Sequence, residues 1–157
     1  MHMAKLKKGQ AVVEFVLLFP FFLLVIVGGI VDFGFAFYNL ISLQQIANDA
    51  AQYATVAAAG PSGRSDADIQ TFINQRKPSW WQGTFTVTTA LTSSSTTPQI
   101  KVDTLRTADN IAPVKRITLQ YNSPMYTPFY HTLVRLAGDA SGLRIQAGAA
   151  FQIPQNR

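Results

Sequence analysis

From Phe15 to Val31 the chain carries no charged residue, and only Pro20, Gly28 and Gly29 interrupt a strongly apolar run. A helix needs roughly 20 apolar residues to cross a bilayer, and Ala11 to Val31 meets that length with Glu14 near one interface. The pattern then changes. From Phe33 to Ala59 there is no proline, and Leu43, Ile46/Ala47, Ala50, Tyr53/Ala54 and Ala57 recur at three- and four-residue steps. Gln45, Asn48, Asp49, Gln52 and Thr55 fall towards another side, as in an amphipathic helix. Gly60-Pro61 supplies a stop. One helix from Ala11 to Ala59 would be about 70 Å long, more than a single core in a chain of this size can bury. Its inner half is expected in lipid or in a bundle of neighbours, and its outer half under a C-terminal domain.

Beyond Gly60 the periods shorten. Ser65 followed by Asp68 reads as a capped start for a short helix to about Arg76, stopped by Pro78. Trp80-Trp81 opens an aromatic patch suited to a core or an interface, with one of the two indoles partly exposed. Thr84 to Ala90 alternates and is rich in β-branched residues, so it predicts a strand. Ile100–Leu105 and Val114–Tyr121 predict two more, with Ile117, Leu119 and Tyr121 sharing a face, and Asp109-Asn110 predicts a turn between them. Thr127-Pro128 begins a helix whose Phe129, Leu133, Leu136 and Ala137 share one side up to Gly138. Leu143, Ile145, Ala147, Ala149 and Phe151 alternate through a last strand. The fold class is α+β, a long N-terminal helix packed against a small antiparallel sheet with short helices. Such a sheet, with one apolar face, needs the helix as a cover.

The formal charge of +5 is partly local, because Lys5, Lys7 and Lys8 all precede the apolar run. That asymmetry puts the N-terminus in the cytoplasm and the long C-terminal part across the membrane. A removed secretory signal is the competing assignment, but its apolar region is usually about 7–15 residues and ends at a small-residue cleavage box. Here the run is longer and Asp32-Phe33-Gly34-Phe35 follows. Pro20 weakens a helix by removing an N–H, and Gly28-Gly29 allows either close packing or local loosening. Asp32 requires a partner, water or an interface position, since a lone buried carboxylate is expensive.

Catalytic chemistry is thin. There is no cysteine, and His2 and His131 are the only histidines. No nucleophile elbow, phosphate-binding glycine loop or zinc motif occurs, so no enzyme, metal or cofactor is implied. Asp66 and Asp68 suit helix capping. Lys115, Arg116, Arg135 and Arg144 form at best a weak basic patch, which argues against nucleic acid as a partner.

The opening Lys8-Gly9-Gln10-Ala11-Val12-Val13-Glu14-Phe15 resembles the processing site of type IV prepilins, which is cut after the glycine. The basic head, the G-x-x-x-V-E-F opening, the nearby Pro20 and the later Asn48-Asp49-Ala50-Ala51-Gln52-Tyr53-Ala54 are similar more narrowly to TadE-like pilins and pseudopilins of tight-adherence (Flp) systems. Gln52 stands where that family more often has arginine. The resemblance is strong over Lys8–Ala59 and loose beyond it.

The resemblance implies a basic leader (1–9), a long helix (10–59) and an exported head (60–157). Gly9 and Gln10 would be the processing residues. Glu14, with Phe15 behind it, would govern assembly by meeting the N-terminal amine of a neighbour. Pro20, Gly28 and Gly29 are candidates for a bend or melt, and Lys5, Lys7 and Lys8 for orientation. A prepilin peptidase, an inner-membrane assembly platform with its ATPase, and other pilin subunits are the implied partners. The expected location is the cytoplasmic membrane first, then an extracellular pilus or periplasmic pseudopilus. The competing readings are a single-pass envelope protein that never polymerises and an anchored envelope enzyme or ligand-binding adhesin.

Overall fold

In the computed structural model the apolar run and the amphipathic stretch form one helix, α1 (Ala4–Thr55), about 78 Å long at 1.5 Å per residue. The structure describes residues 4–56, 63–92, 95–106, 113–136 and 142–154. The expected Gly60-Pro61 stop, the Asp109-Asn110 turn and the Gly138 helix end lie outside these. After α1 come α2 (Asp66–Arg76), β1 (Thr86–Val87), β2 (Gln99–Arg106), β3 (Pro113–Ser123), α3 (Pro128–Leu136) and β4 (Leu143–Gln152). The architecture is the expected α+β arrangement of a long helix on a small four-stranded sheet.

Within the sheet the order is β1-β2-β3-β4. The three long strands pair antiparallel, with Ile117 opposite Ala149 and Leu119 opposite Ala147. β1 differs from expectation in two ways. The stretch Thr84–Ala90 contributes only Thr86 and Val87 to a strand, and these run parallel to Gln99 and Ile100. The reason lies in what holds either end. The Asn74 side chain of α2 donates to the Phe85 carbonyl at 2.9 Å and accepts the Phe85 N–H at 2.8 Å, taking the place of a strand partner. After Thr88 bonds to Ile100 the chain leaves and re-enters as β2 in the same direction.

One face of α1 carries the domain. Leu43, Ile46, Ala47, Ala50, Ala51 and Ala54 are buried in one core with Ile117, Leu119, Tyr121, Ile145 and Ala147 of β3 and β4. Small side chains on both surfaces let helix and sheet approach closely, so Gln44 Nε2 reaches the Gly148 carbonyl at 3.1 Å. Thr55, placed by periodicity on the polar side, is instead buried, and its hydroxyl bonds back to the Ala51 and Gln52 carbonyls. Ser65 caps α2 by accepting the Asp68 N–H, as the spacing predicts, and Ile69 and Ile73 enter the core.

Trp81 is buried and Trp80 is about half exposed, because the pair sits on a turn closed by the Trp81 N–H to the Pro78 carbonyl rather than on a strand. The Trp81 ring stacks on Tyr121 at 4.6 Å between centroids, and burial pushes the Tyr121 phenol above its ordinary pKa. Lys115 also departs from the surface role considered for it. It is buried, donates to the Arg64 carbonyl and lies 3.8 Å from Asp66, which ties β3 to the segment following α1.

A buried polar trio crosses the helix–sheet contact at the end of β3. The Trp81 indole N–H donates to Asn39 Oδ1 at 2.9 Å, and Asn39 Nδ2 donates to the Ser123 hydroxyl at 2.9 Å. Asn39→Ala removes both partners and is expected to destabilise the head by about 1–3 kcal/mol for each group left unpaired. Urea unfolding of the detergent-solubilised chain, followed by tryptophan fluorescence, measures it. An unchanged midpoint would mean that the trio holds nothing together.

Candidate functional site

The residues singled out by sequence fall into two regions of α1, separated by about 20 Å along its axis. The first is the N-terminal stretch. Gln10 Nε2 donates to Glu14 Oε1 one turn later at 3.1 Å, and both residues are exposed. The second oxygen of Glu14 has no hydrogen-bond partner among the described residues, so the carboxylate keeps room for another donor. A side chain built at Gly9 would meet nothing within 4 Å, leaving the backbone there open to approach. Phe15 is 64% exposed, its ring 5.5 Å from that of Phe19. Lys5, Lys7 and Lys8 extend the helix on the other side of Gly9, and their side chains lie outside the described residues.

Every residue from Gly9 to Leu24 is exposed. The apolar side chains point in all directions around α1, and none of its most apolar stretch is buried within the chain. A helix that is hydrophobic all round belongs in a membrane or inside a larger core. By length and composition α1 can cross a membrane once. Pro20 lies within this exposed part, with helix continuing on both sides. Its ring leaves the carbonyl four residues earlier without the usual N–H.

The second region is where α3 lands. Gly28 and Gly29 are buried: a side chain at Gly28 would press on Thr127 at 3.3 Å, and one at Gly29 would meet the Tyr130 hydroxyl at 2.5 Å. Their smallness lets α3 approach, and the Tyr130 hydroxyl donates to the Val25 carbonyl at 3.1 Å. One turn on, Asp32 is fully buried. It accepts the backbone N–H groups of Tyr126 at 2.8 Å and Thr127 at 3.1 Å, and the Thr127 hydroxyl as well. The carboxylate therefore sits on the donors that open α3, where a negative charge is favoured. Its required partner is found inside the chain. Gly34, by contrast, faces open space.

Sequence reasoning did not foresee Ser123, Thr127 and Tyr130 as partners of α1, or Asn39 as the residue of α1 that binds Ser123. The available signal was the coincidence of a lone acid, a glycine pair and a Thr-Pro helix start, which identifies possible partners without pairing them. Arg116, Arg135 and Arg144 are exposed, but with Lys115 turned inward they do not gather it into a patch. Among the described residues no group of three or more histidine, aspartate or glutamate side chains is placed to hold a metal.

Residues 9–52 match the family of TadE-like proteins. The TadE-like segment starts at Gly9 and spans both regions, while α2, α3 and the sheet lie outside it. The match implies a protein associated with the Tad pilus, hence with the cell envelope and other pilus components, in a family that is generally structural rather than enzymatic. No curated protein and no solved structure matches the chain.

The two kinds of glycine give a paired test. Gly29→Ala must displace the Tyr130 ring and break its bond to Val25, a loss of about 0.5–1.5 kcal/mol. Gly34→Ala only removes the entropic cost of a helical glycine and is expected to stabilise by about 0.5–1 kcal/mol. Amide hydrogen exchange across 127–136 should speed up in the first variant and not in the second. Equal exchange in both would separate the glycines from the seating of α3.

Proposed function

We propose that this chain is a structural subunit, a pilin or pseudopilin, of a Tad-like type IV pilus, cut after Gly9 and assembled through α1. The observation that carries this reading is the exposed, all-round apolar part of α1, residues 9–24, which bears one carboxylate, Glu14, a turn after Gln10, in a TadE-like segment that begins at Gly9.

Before assembly α1 spans the cytoplasmic membrane with Lys5, Lys7 and Lys8 inside, held there by their charge. A prepilin peptidase removes 1–9. The cut has two chemical consequences. It takes away three ammonium groups that could not enter an apolar bundle, and it creates a charged amine at Gln10. In the filament, the Glu14 carboxylate of one subunit is then paired with the amine of the next. An unpaired carboxylate within a low-dielectric bundle costs several kcal/mol, so the pairing sets the axial register between subunits. An ATPase and membrane platform supply the work of extraction, and the apolar faces from Phe15 to Val31 exchange lipid for neighbouring helices.

Any bending or unwinding between these states is cheapest at Pro20, which already lacks a helical bond and has no cover from the head. At Gly28-Gly29 it has to be accompanied by release of α3.

Two measurements test the reading. Intact-mass analysis of the protein from cells with an active prepilin peptidase should give a mature N-terminus at Gln10; a chain still beginning at Met1 in those membranes would sink it. Glu14→Ala should be cut normally yet be lost from filaments by an order of magnitude or more. Normal incorporation of that variant would remove the pairing role.

A further inference from the structure

α3 is seated unusually far down α1. Along the chain, Tyr126 packs on Phe35 with 4.9 Å between ring centroids, Thr127 binds Asp32, and Tyr130 reaches Gly29 and the Val25 carbonyl. The path therefore descends the helix, and Val25 lies about 10 Å below Asp32. A span of roughly 20 residues beginning at Ala11 ends close to Val31. The start of α3 is thus level with the outer edge of the lipid-crossing part, and Tyr130 contacts its last two turns.

The exposed surface of α3 fits that depth. Leu133 and Leu136 are 52% and 82% exposed, while His131 and Arg135 occupy the other side of the helix and Thr132 lies at the border between the two. In water two such leucines on a nine-residue amphipathic helix would be an unexplained cost. Just above, half-exposed aromatic side chains gather over about one and a half turns of α1, Tyr38 against Trp80 at 6.0 Å and Tyr126 on Phe35, with the partly buried Tyr130 edge-on to Phe33 at 5.9 Å. Tyrosine and tryptophan collect at the headgroup level, where one end of the ring is wet and the other is not. An apolar face beside the span, a polar back and aromatic side chains above it together describe a helix lying in a membrane boundary.

We propose that α3 is a lipid-seated helix: before assembly, Leu133 and Leu136 enter the acyl region of the outer leaflet, with His131 and Arg135 towards the headgroups. The head then stands on the membrane through α3 and these aromatic side chains, and Asp32 is shielded from lipid by the Tyr126 and Thr127 donors that it accepts. This rests on α1 spanning a membrane, and the test separates the two claims.

The chain has no cysteine, so single spin labels can be introduced as Leu17→Cys, His131→Cys and Leu136→Cys without removing native thiols. The full-length variants are placed in vesicles of phosphatidylethanolamine and phosphatidylglycerol, and collision with oxygen is compared with collision with a water-soluble nickel chelate. The expected result is a several-fold higher oxygen-to-nickel ratio at Leu136 than at His131, approaching that at Leu17. A Leu17 label in lipid with the Leu136 label open to nickel overturns the seating of α3 while leaving the span intact. A Leu17 label open to nickel overturns the span and the seating together. A Leu136 label shielded from both reagents shows protein cover, from a second copy of the chain, and also overturns lipid seating.

Discussion

The head depends on one narrow contact, the face of α1 on which Leu43, Ala47, Ala50 and Ala54 meet β3 and β4. A four-stranded sheet with a single apolar face does not stand alone, and here its missing layer is the outer half of a helix whose inner half belongs elsewhere. The small residues along that face decide how near the sheet can come. Asn39 shows how specific the contact is, because its amide joins Trp81 and Ser123, two parts of the domain far apart in sequence, inside an otherwise apolar layer. Buried polar groups of this kind are tolerated when every partner is supplied.

The same helix meets opposite demands along its length. From Phe15 to Leu24 it is apolar on every side and exposed; from Gly28 onward one stripe is covered and the rest is not. Asp32 marks the change. A carboxylate there would be prohibitive in lipid if left alone, and it is accommodated because Tyr126 and Thr127 bring backbone donors to it. The glycine pair below it makes room for the same segment. Anchor and head are consequently coupled: a movement of α1 near Gly28 is felt by α3. Glu14 is the contrasting acid. It remains exposed, with only Gln10 as its partner among the described residues, which leaves it available to a group from outside the chain.

Much of this was legible from period and punctuation. The change from an unbroken apolar run to three-and-four spacing marked the two halves of α1. Alternation located β3 and β4 closely, and Ser65 with Asp68 located the start of α2. What stayed hidden depends on pairings across long separations. Asp32 could be recognised as needing a partner, but nothing local points to Thr127, 95 residues away. β1 is curtailed because a side-chain amide of α2 takes a backbone pairing position, and strand propensity carries no trace of that. Lys115 has the composition of a surface patch residue, yet the Arg64 carbonyl and Asp66 draw it inward. The residues proposed for processing and assembly, Gly9, Gln10 and Glu14, were readable for the opposite reason: the roles proposed for them depend on spacing along one short stretch, in a segment that matches the TadE-like family.

The central claim is that α1 leaves the membrane to become part of a filament, carrying the head outside. Immunogold electron microscopy of whole cells and of sheared surface filaments, with antibody raised against the head, tests it most directly. The account predicts gold on the filaments, along the shaft or at restricted positions, with the Gly9-processed chain in the sheared fraction. Filaments that carry no label, with all of the chain retained in the cell envelope, would contradict it.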